Sequence, residues 1–342
     1  MHDVNLGALL SLGWDARARA LFTELARPEL FPGRVVRVER SACVVALADG
    51  DHMAAAPIPV AVGDWAAVGI VDGAYTVTGV TDRWSQLTRG DPSGGVQVLA
   101  ANIDLVLITA PADRLSPARI ERETALAWDS GAQPVVLVTK ADLAVDGEID
   151  RLEARLAVVD VVATSVVTST GLDRVRDRLR PCRTAVLIGP SGAGKSSLTN
   201  ALVGEARMVT GSVRDGDHRG RHTTTTRQLV PVPDGGVLID TPGLRSLALA
   251  GDGTGVQSAF SDIEELAAGC RFGDCRHERE PGCAVLAAAA RGQLDQARLA
   301  SYGKLRKEVA WEERRHDPRA RQASLRQWKA VTRSVRSQPK KR

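Results

Sequence analysis

Five short apolar runs recur beyond residue 100, and each is followed by residues with helical spacing. The runs cover residues 105–108, 135–138, 158–162, 185–188 and 237–239. Near-continuous apolar runs of this length, alternating with helices, predict a parallel sheet that is buried on both faces. Ligands of such α/β folds bind in the loops that follow the carboxyl ends of the strands. We therefore expect the functional residues in those loops.

The first 90 residues show a different pattern. Leu and Ala occur at helical spacing in residues 5–26 and prolines then break the pattern, which predicts an N-terminal helix and linker over residues 1–32. Short β-branched runs separated by turn signals follow at residues 35–38, 43–47, 65–68 and 75–78. Short strands at this spacing predict a small barrel over residues 33–90, and an RNA-binding OB fold is one common form of it.

Composition and charge divide the chain further. The 44% of hydrophobic and 25% of charged residues predict a globular protein. No apolar run reaches the roughly 18 residues of a membrane span, so we expect a cytoplasmic protein that does not bind membranes. The net charge is +4, but residues 304–342 hold fourteen Lys and Arg against four Asp and Glu. Such a basic tail is typical of a solvated helix, of a disordered segment or of a surface that approaches RNA phosphates.

Three of the five cysteines lie near a histidine in the C-terminal part of the chain. Three thiolates and one imidazole are the ligands of a closed tetrahedral zinc site, here Cys270, Cys275, His277 and Cys283. Four protein ligands leave no position for a catalytic water. We therefore predict a structural Zn²⁺ in an α-helical zinc-binding domain over residues 251–342.

The run at residues 185–188 leads into a phosphate-loop sequence and then into helical residues, which is the context that this motif requires. Glycines let backbone N–H groups surround the phosphates, Lys195 reaches the β and γ phosphates, and the Ser196 hydroxyl binds Mg²⁺. The predicted phosphate-binding residues are Gly189, Pro190, Ser191, Gly192, Ala193, Gly194, Lys195, Ser196 and Ser197.

Two further strand ends favour GTP over ATP as the nucleotide. The run at 237–239 is followed by Asp240, a carboxylate for the Mg²⁺ shell, and then by Gly243, whose N–H can sense the γ-phosphate. The run at 135–138 is followed by a guanine motif, Thr139, Lys140, Ala141 and Asp142. The Asp142 carboxylate is predicted to accept the N1–H and 2-amino group of guanine, a donor pair that adenine lacks.

The guanine motif departs from its usual form, because Thr139 stands where Asn is common. A hydroxyl can make one of the hydrogen bonds of that amide, so we expect weaker nucleotide affinity with specificity retained. Ser165, after the run at 158–162, is predicted to lie in the loop that covers the base, although Val166 follows where Ala is usual. An ordinary polar loop at residues 140–142 is the alternative.

The guanine motif precedes the phosphate loop, whereas ordinary GTPases have the opposite order. The α/β domain, over residues 95–250, is therefore predicted to be circularly permuted. With this order the chain resembles the ribosome small-subunit-dependent GTPase A family of bacterial circularly permuted GTPases. The resemblance is carried by the cysteine cluster and by residues 101–104, 139–142, 189–200, 220–225 and 240–245.

The resemblance implies a P-loop GTPase domain between an N-terminal OB-fold barrel and a C-terminal zinc domain. It also implies GTP and GDP as ligands, the 30S subunit and its 16S rRNA as partners, and a role in late maturation of that subunit, with a monomer as the expected state. From its place in the family pattern, Thr224 is predicted to join Ser196 and Asp240 on Mg²⁺, with Thr223 as the alternative.

The group that positions the attacking water is less well determined by the sequence. Many GTPases carry Gln directly after the Asp-x-x-Gly motif, but Leu244 occupies that position here, and an aliphatic side chain cannot orient water. His222, in the polar segment 211–227, is the nearest candidate catalytic residue. An RNA-facing or merely exposed histidine is the alternative.

Two other functions fit some of the same residues. One is an ATP-dependent P-loop enzyme, in which ATP would compete for the site. The other is an RNA-binding module in which nucleotide only stabilises the fold, and it would show no ribosome-dependent turnover. The barrel, the zinc domain and the basic tail would supply the RNA contacts, with candidate phosphate ligands Arg314, Arg315, Arg319 and Arg321 and candidate stacking residues Trp311 and Trp328.

Overall fold

The computed structural model describes residues 7–90, 96–156, 158–204, 227–240, 249 and 252–316. The chain forms two compact units, Met1–Ala248 and Leu249–Arg342. None of the helices within the described residues combines the length and the apolar character needed to cross a membrane. The finer domain limits given above stay predictions.

A five-stranded barrel forms the N-terminal part of the first unit. Its strands are β1 (Phe31–Val38), β2 (Ala42–Leu47), β3 (Gly50–Ala55), β4 (Trp65–Val71) and β5 (Ala74–Val80). β1 pairs with both β2 and β4, and β5 pairs with both β3 and β4, so the sheet closes on itself. The barrel is therefore confirmed. Sequence patterning missed β3 because polar residues, Asp51 and His52, follow its opening glycine.

The N-terminal helix is interrupted, which corrects the single helix predicted over residues 5–26. The described residues form α1 (Gly7–Leu10) and α2 (Ala16–Thr23) instead. Gly13 separates them with a φ of +91°, and a Cβ at this position would lie 2.7 Å from Arg34 Nη1. The break turns Trp14 inward, where its ring centroid lies 4.9 Å from that of Trp65 in the barrel.

The rest of the first unit is an α/β fold. A hairpin of β6 (Gln86–Gly90) and β7 (Val96–Ala101) leads into β8 (Leu105–Pro111), β9 (Gln133–Thr139), β10 (Asp160–Ala163), β11 (Thr184–Ile188), β12 (Gln228–Pro231) and β13 (Val237–Asp240). The connecting helices are α3 (Pro117–Asp129), α4 (Glu148–Arg155), α5 (Leu172–Leu179) and α6 (Lys195–Val203).

The five predicted apolar runs form parallel strands in the order β10-β9-β8-β11-β13, which confirms the predicted sheet. Several limits differ from the prediction: β10 begins at Asp160 rather than residue 158, β9 begins at Gln133 rather than residue 135, and β8 extends to Pro111 rather than ending at residue 108. β12 pairs antiparallel with β13 and, at Gln228 and Arg37, with β1 of the barrel. The barrel and the α/β sheet thus form one continuous hydrogen-bonded sheet.

The second unit is helical in its described residues. Its helices are α7 (Thr254–Ala259), α8 (Ser261–Ala267), α9 (Ala284–Ala290) and α10 (Gln296–His316). Phe260 and Val285 are fully buried in its core. Arg298 fastens α10 to the first two helices, because its Nη2 lies 2.7 Å from Asp262 Oδ1 and donates to the Ala259 carbonyl at 3.0 Å.

The fully buried Arg34 connects three parts of the first unit. Its guanidinium donates to the Leu12 carbonyl in the N-terminal segment. It also donates to the Asn102 carbonyl at 3.3 Å and to Thr184 Oγ1, at the start of β11, at 2.8 Å. Burial lowers the pKa of Arg34 to about 10. The group is still charged at neutral pH, so its acceptors hold a desolvated cation.

Replacing Arg34 with Met should lower the free energy of unfolding by about 2–4 kcal/mol, because buried acceptors lose a charged donor. Arg37→Met is the matched control on the same strand, since Arg37 makes an exposed ion pair with Glu39 at 3.2 Å. That control should change stability by less than about 1 kcal/mol. Urea unfolding followed by tryptophan fluorescence measures both, and equal losses would contradict the role of Arg34.

Candidate functional site

The predicted phosphate loop lies between β11 and α6, at the carboxyl end of the central strands. Gly189 opens it with a φ of +135°, and a Cβ there would lie 2.2 Å from Thr109 Oγ1. The Thr109 hydroxyl donates to the Ile188 carbonyl at 2.8 Å, so the end of β8 is bonded directly to the start of the loop. Only a glycine fits against this threonine. Gly194 then takes a φ of +82° as α6 begins.

The side chain of Lys195 folds back over the loop. Its Nζ donates to the carbonyls of Gly189 at 2.9 Å and Pro190 at 2.7 Å. The half-buried Ser196 and Ser197 follow it in the first turn of α6. This arrangement holds an ammonium group at the mouth of a loop whose helix N-terminus attracts anions.

The predicted guanine motif reaches the same loop through Thr139. This buried hydroxyl, at the end of β9, donates to the Ala193 carbonyl at 2.8 Å. Lys140 adopts a left-handed conformation with a φ of +53°, and its Nζ lies 3.2 Å from Asp113 Oδ2. Asp142 is exposed on the short 3₁₀ turn that follows. Thr139 therefore ties the base-reading motif to the phosphate loop.

The loop predicted to cover the base is bonded to the guanine motif as well. The Ala141 N–H donates to the Thr164 carbonyl at 3.0 Å. Ser165 is buried beside Thr164 and donates its N–H to the Thr170 carbonyl at 3.0 Å, while Val167 is 86% exposed at the tip. The loop is thus anchored at its base beside the guanine motif.

Asp240 ends β13, which is the neighbour of β11 in the parallel sheet. Burial raises the pKa of the Asp240 carboxyl, and the positive charge of Lys195 opposes this shift. Burial destabilises the ionised form of a carboxyl group, and a nearby divalent cation stabilises that form. The environment of Asp240 thus fits the predicted Mg²⁺ role.

Some predicted site residues lie outside the described residues. They are His222, Thr223, Thr224, Gly243 and Leu244 at the nucleotide site, and Arg319, Arg321 and Trp328 among the candidate RNA contacts. Conversely, the structure places two residues at the site that sequence reasoning missed, Thr109 and Asp113. Their signal was available, since Thr109 directly follows the apolar run at 105–108 and Asp113 lies in the turn after β8, the strand beside the phosphate-loop strand.

The second unit holds the predicted metal ligands in one cluster. One ligand atom from each of Cys270, Cys275, His277 and Cys283 lies within 4.8 Å of all the others. Cys270 Sγ lies 3.8 Å from Cys283 Sγ, and His277 Nδ1 lies 3.6 and 3.3 Å from these two sulfurs. Tetrahedral Zn²⁺ requires ligand separations of roughly 3.8 Å for sulfur pairs and 3.5 Å for sulfur–nitrogen pairs. The donor set and its spacing therefore fit a metal such as zinc.

Comparison with known proteins identifies the family. The family described as RsgA GTPase matches residues 80–250. A Small ribosomal subunit biogenesis GTPase RsgA from Streptomyces coelicolor is 46% identical over 341 residues, which cover 95% of this chain and 93% of that protein. The chain belongs to the RsgA GTPase family. Membership confirms the predicted family and the enzyme class, a GTPase, and so decides against the ATP-dependent alternative.

Other relatives agree with this assignment. A Small ribosomal subunit biogenesis GTPase RsgA from Xanthomonas axonopodis pv. citri is 42% identical over 329 residues, covering 88% of each chain. Among solved structures, YjeQ from Thermotoga maritima is 24% identical, with a TM-score of 0.63 over 82% of this chain and 98% of its own. YloQ, described as a circularly permuted GTPase, is 23% identical, with a TM-score of 0.59 over 83% of this chain and 98% of its own. These likenesses confirm the permuted GTPase fold of this RsgA family member.

Thr139→Val should raise the Kd for GDP and GTP by about 3- to 10-fold, because the buried Ala193 carbonyl loses its donor. Thr139→Ser, which keeps the hydroxyl, should bind within about twofold of wild type. Titration calorimetry with GDP compares the variants. Wild-type affinity in the valine variant would show that this bond does not support the nucleotide site.

Cys275→Ser should reduce bound zinc from about one ion per chain to near zero and expose the second unit to protease, because structural zinc supplies folding energy. Cys182→Ser is the control, since Cys182 lies in the first unit. Elemental analysis and limited proteolysis provide the readouts. Retention of zinc by the Cys275 variant would refute the ligand set.

Proposed function

We propose that this chain is a cytoplasmic assembly factor for the small ribosomal subunit, whose GTP hydrolysis is stimulated by the 30S particle and triggers its own release. The observation that carries the catalytic part is the Thr139–Ala193 hydrogen bond, which joins the guanine motif to the phosphate loop. The assembly role is supported by the curated relatives, which are named as small ribosomal subunit biogenesis GTPases.

The residues have distinct roles in this proposal. Asp142 selects guanine, Lys195 and the loop N–H groups bind the phosphates, and Ser196, Asp240 and Thr224 hold Mg²⁺. Bound Mg²⁺ would neutralise charge that develops on the phosphates during hydrolysis. His222 positions the attacking water, because Leu244 cannot do so.

The other regions supply the contacts to the particle. The barrel, the zinc-stabilised second unit and the basic tail bind 16S rRNA. Bound Zn²⁺ would be structural, since these four protein ligands would fill all its tetrahedral positions. Docking on the particle completes the catalytic site, so activity is withheld until the right partner is found.

GTP hydrolysis with and without purified 30S subunits tests the proposal. Wild type alone should be slow, and 30S subunits should accelerate it about 100-fold or more, because a water-positioning group is completed only in the complex. Lys195→Ala should be inactive in both states while keeping its circular dichroism spectrum, and His222→Ala should lose most of the stimulation. Isolated 50S subunits are the control partner.

Each outcome bears on a different part of the proposal. Absence of 30S stimulation in wild type would remove the ribosome-dependent function. Normal stimulation of His222→Ala would remove only the role of that histidine. Release is tested by sedimentation with 30S subunits, where a non-hydrolysable GTP analogue should retain the protein on the particle and GTP should not.

A further inference from the structure

Arg114 lies beside the phosphate loop although it comes from a distant part of the sequence. β8 ends at Pro111, and the 3₁₀ turn Ala112–Arg114 follows at the carboxyl edge of the sheet. Because β8 and β11 are parallel neighbours, this turn reaches the loop that follows β11. Nη2 of Arg114 lies 3.4 Å from the position that a Cβ on Gly192 would occupy.

Asp113 orients this guanidinium and the guanine-motif lysine together. Its Oδ1 lies 3.7 Å from Arg114 Nε, and its Oδ2 lies 3.2 Å from Lys140 Nζ. Nε of Arg114 therefore faces the carboxylate while Nη2 is the atom nearest the loop. Lys195 adds a further cation at the start of the same loop, where its Nζ donates to the carbonyls of Gly189 and Pro190.

The position along the loop determines which phosphate is in reach. The backbone N–H groups of a phosphate loop cradle the α and β phosphates, whereas the loop lysine serves the β and γ phosphates. Gly192 belongs to this loop, is exposed and has a φ of +74°, so no side chain of its own separates Arg114 from the loop backbone. Arg114 is 61% exposed, and a guanidinium binds phosphate oxygens through several donors at once.

We propose that Arg114 is a further phosphate-binding residue, which contacts the α or β phosphate of the bound guanine nucleotide. It increases affinity for GDP and GTP alike and does not act on the γ-phosphate in hydrolysis. The inference rests on the nucleotide site of the proposed function. It adds a residue from the turn after β8 to the phosphate-binding set.

Equilibrium binding of GDP and a non-hydrolysable GTP analogue tests this assignment. Arg114→Gln should raise both Kd values by a similar factor, about 5- to 20-fold, because one charge-assisted contact is lost. Arg114→Lys should lie between it and wild type. Arg37→Gln, which also removes one exposed and ion-paired arginine, should leave both values unchanged. In hydrolysis assays Arg114→Gln should raise KM and keep kcat within about twofold of wild type. This is the result expected when a side chain stabilises the bound ground state and the transition state equally.

Three results would overturn the proposal. Kd values within twofold of wild type would show that Arg114 does not contact the nucleotide. A loss confined to the GTP analogue with a lower kcat would place Arg114 at the γ-phosphate instead. An equal loss in Arg37→Gln would indicate a general effect of net charge. If wild type and Lys195→Ala both fail to bind guanine nucleotides, the proposed function itself fails.

Discussion

The nucleotide site depends on the close contact between Thr109 and Gly189. Parallel pairing brings the ends of β8 and β11 side by side, and the threonine hydroxyl bonds the last carbonyl before the loop. Gly189 leaves just enough room for this approach. Once the two strand ends are fixed, the turn with Asp113 and Arg114 and the phosphate loop have defined positions. Thr139, at the end of β9 beyond β8, adds a further hydrogen bond to the loop.

Much of this architecture could be predicted because the strands are buried on both faces. Continuous apolar runs predicted each parallel strand, and the nucleotide-binding motifs follow the carboxyl ends of these strands. The barrel was harder to predict in detail. β3 carries Asp51 and His52 and pairs in a register fixed by β2, so its strand character comes from tertiary hydrogen bonds rather than from its own pattern. Local patterning cannot show such pairing.

Two features of the site could not be derived from the sequence for a similar reason. The proximity of Arg114 to Gly192 in the phosphate loop brings together segments that are far apart in the chain. The hydroxyl of Thr139 was expected to replace one bond of the usual Asn, and the structure shows a buried bond to Ala193. Which carbonyl this hydroxyl reaches depends on the distance between the end of β9 and the phosphate loop, and sequence patterning does not give that distance. In contrast, the four metal ligands come from one short segment, so their spacing alone predicted the cluster.

The buried Arg34 shows how the first unit holds separate elements together. Its three acceptors come from the N-terminal segment, from the entry to β8 and from the start of β11. A single guanidinium thus holds three separate segments of the chain in fixed positions relative to one another. The aromatic contact between Trp14 and Trp65 lies beside it and fixes the N-terminal helices on the barrel.

The pairing of β12 with β1 has a mechanical consequence. β12 lies in the chain between the segment that carries His222 and the strand that ends at Asp240, and its other edge is bonded to the barrel at Arg37. Because β12 is paired directly with β1 at this position, a displacement of the barrel acts on β12 through backbone hydrogen bonds. In the proposed function both flanking segments respond to the γ-phosphate, and the barrel is bonded to the strand that connects them.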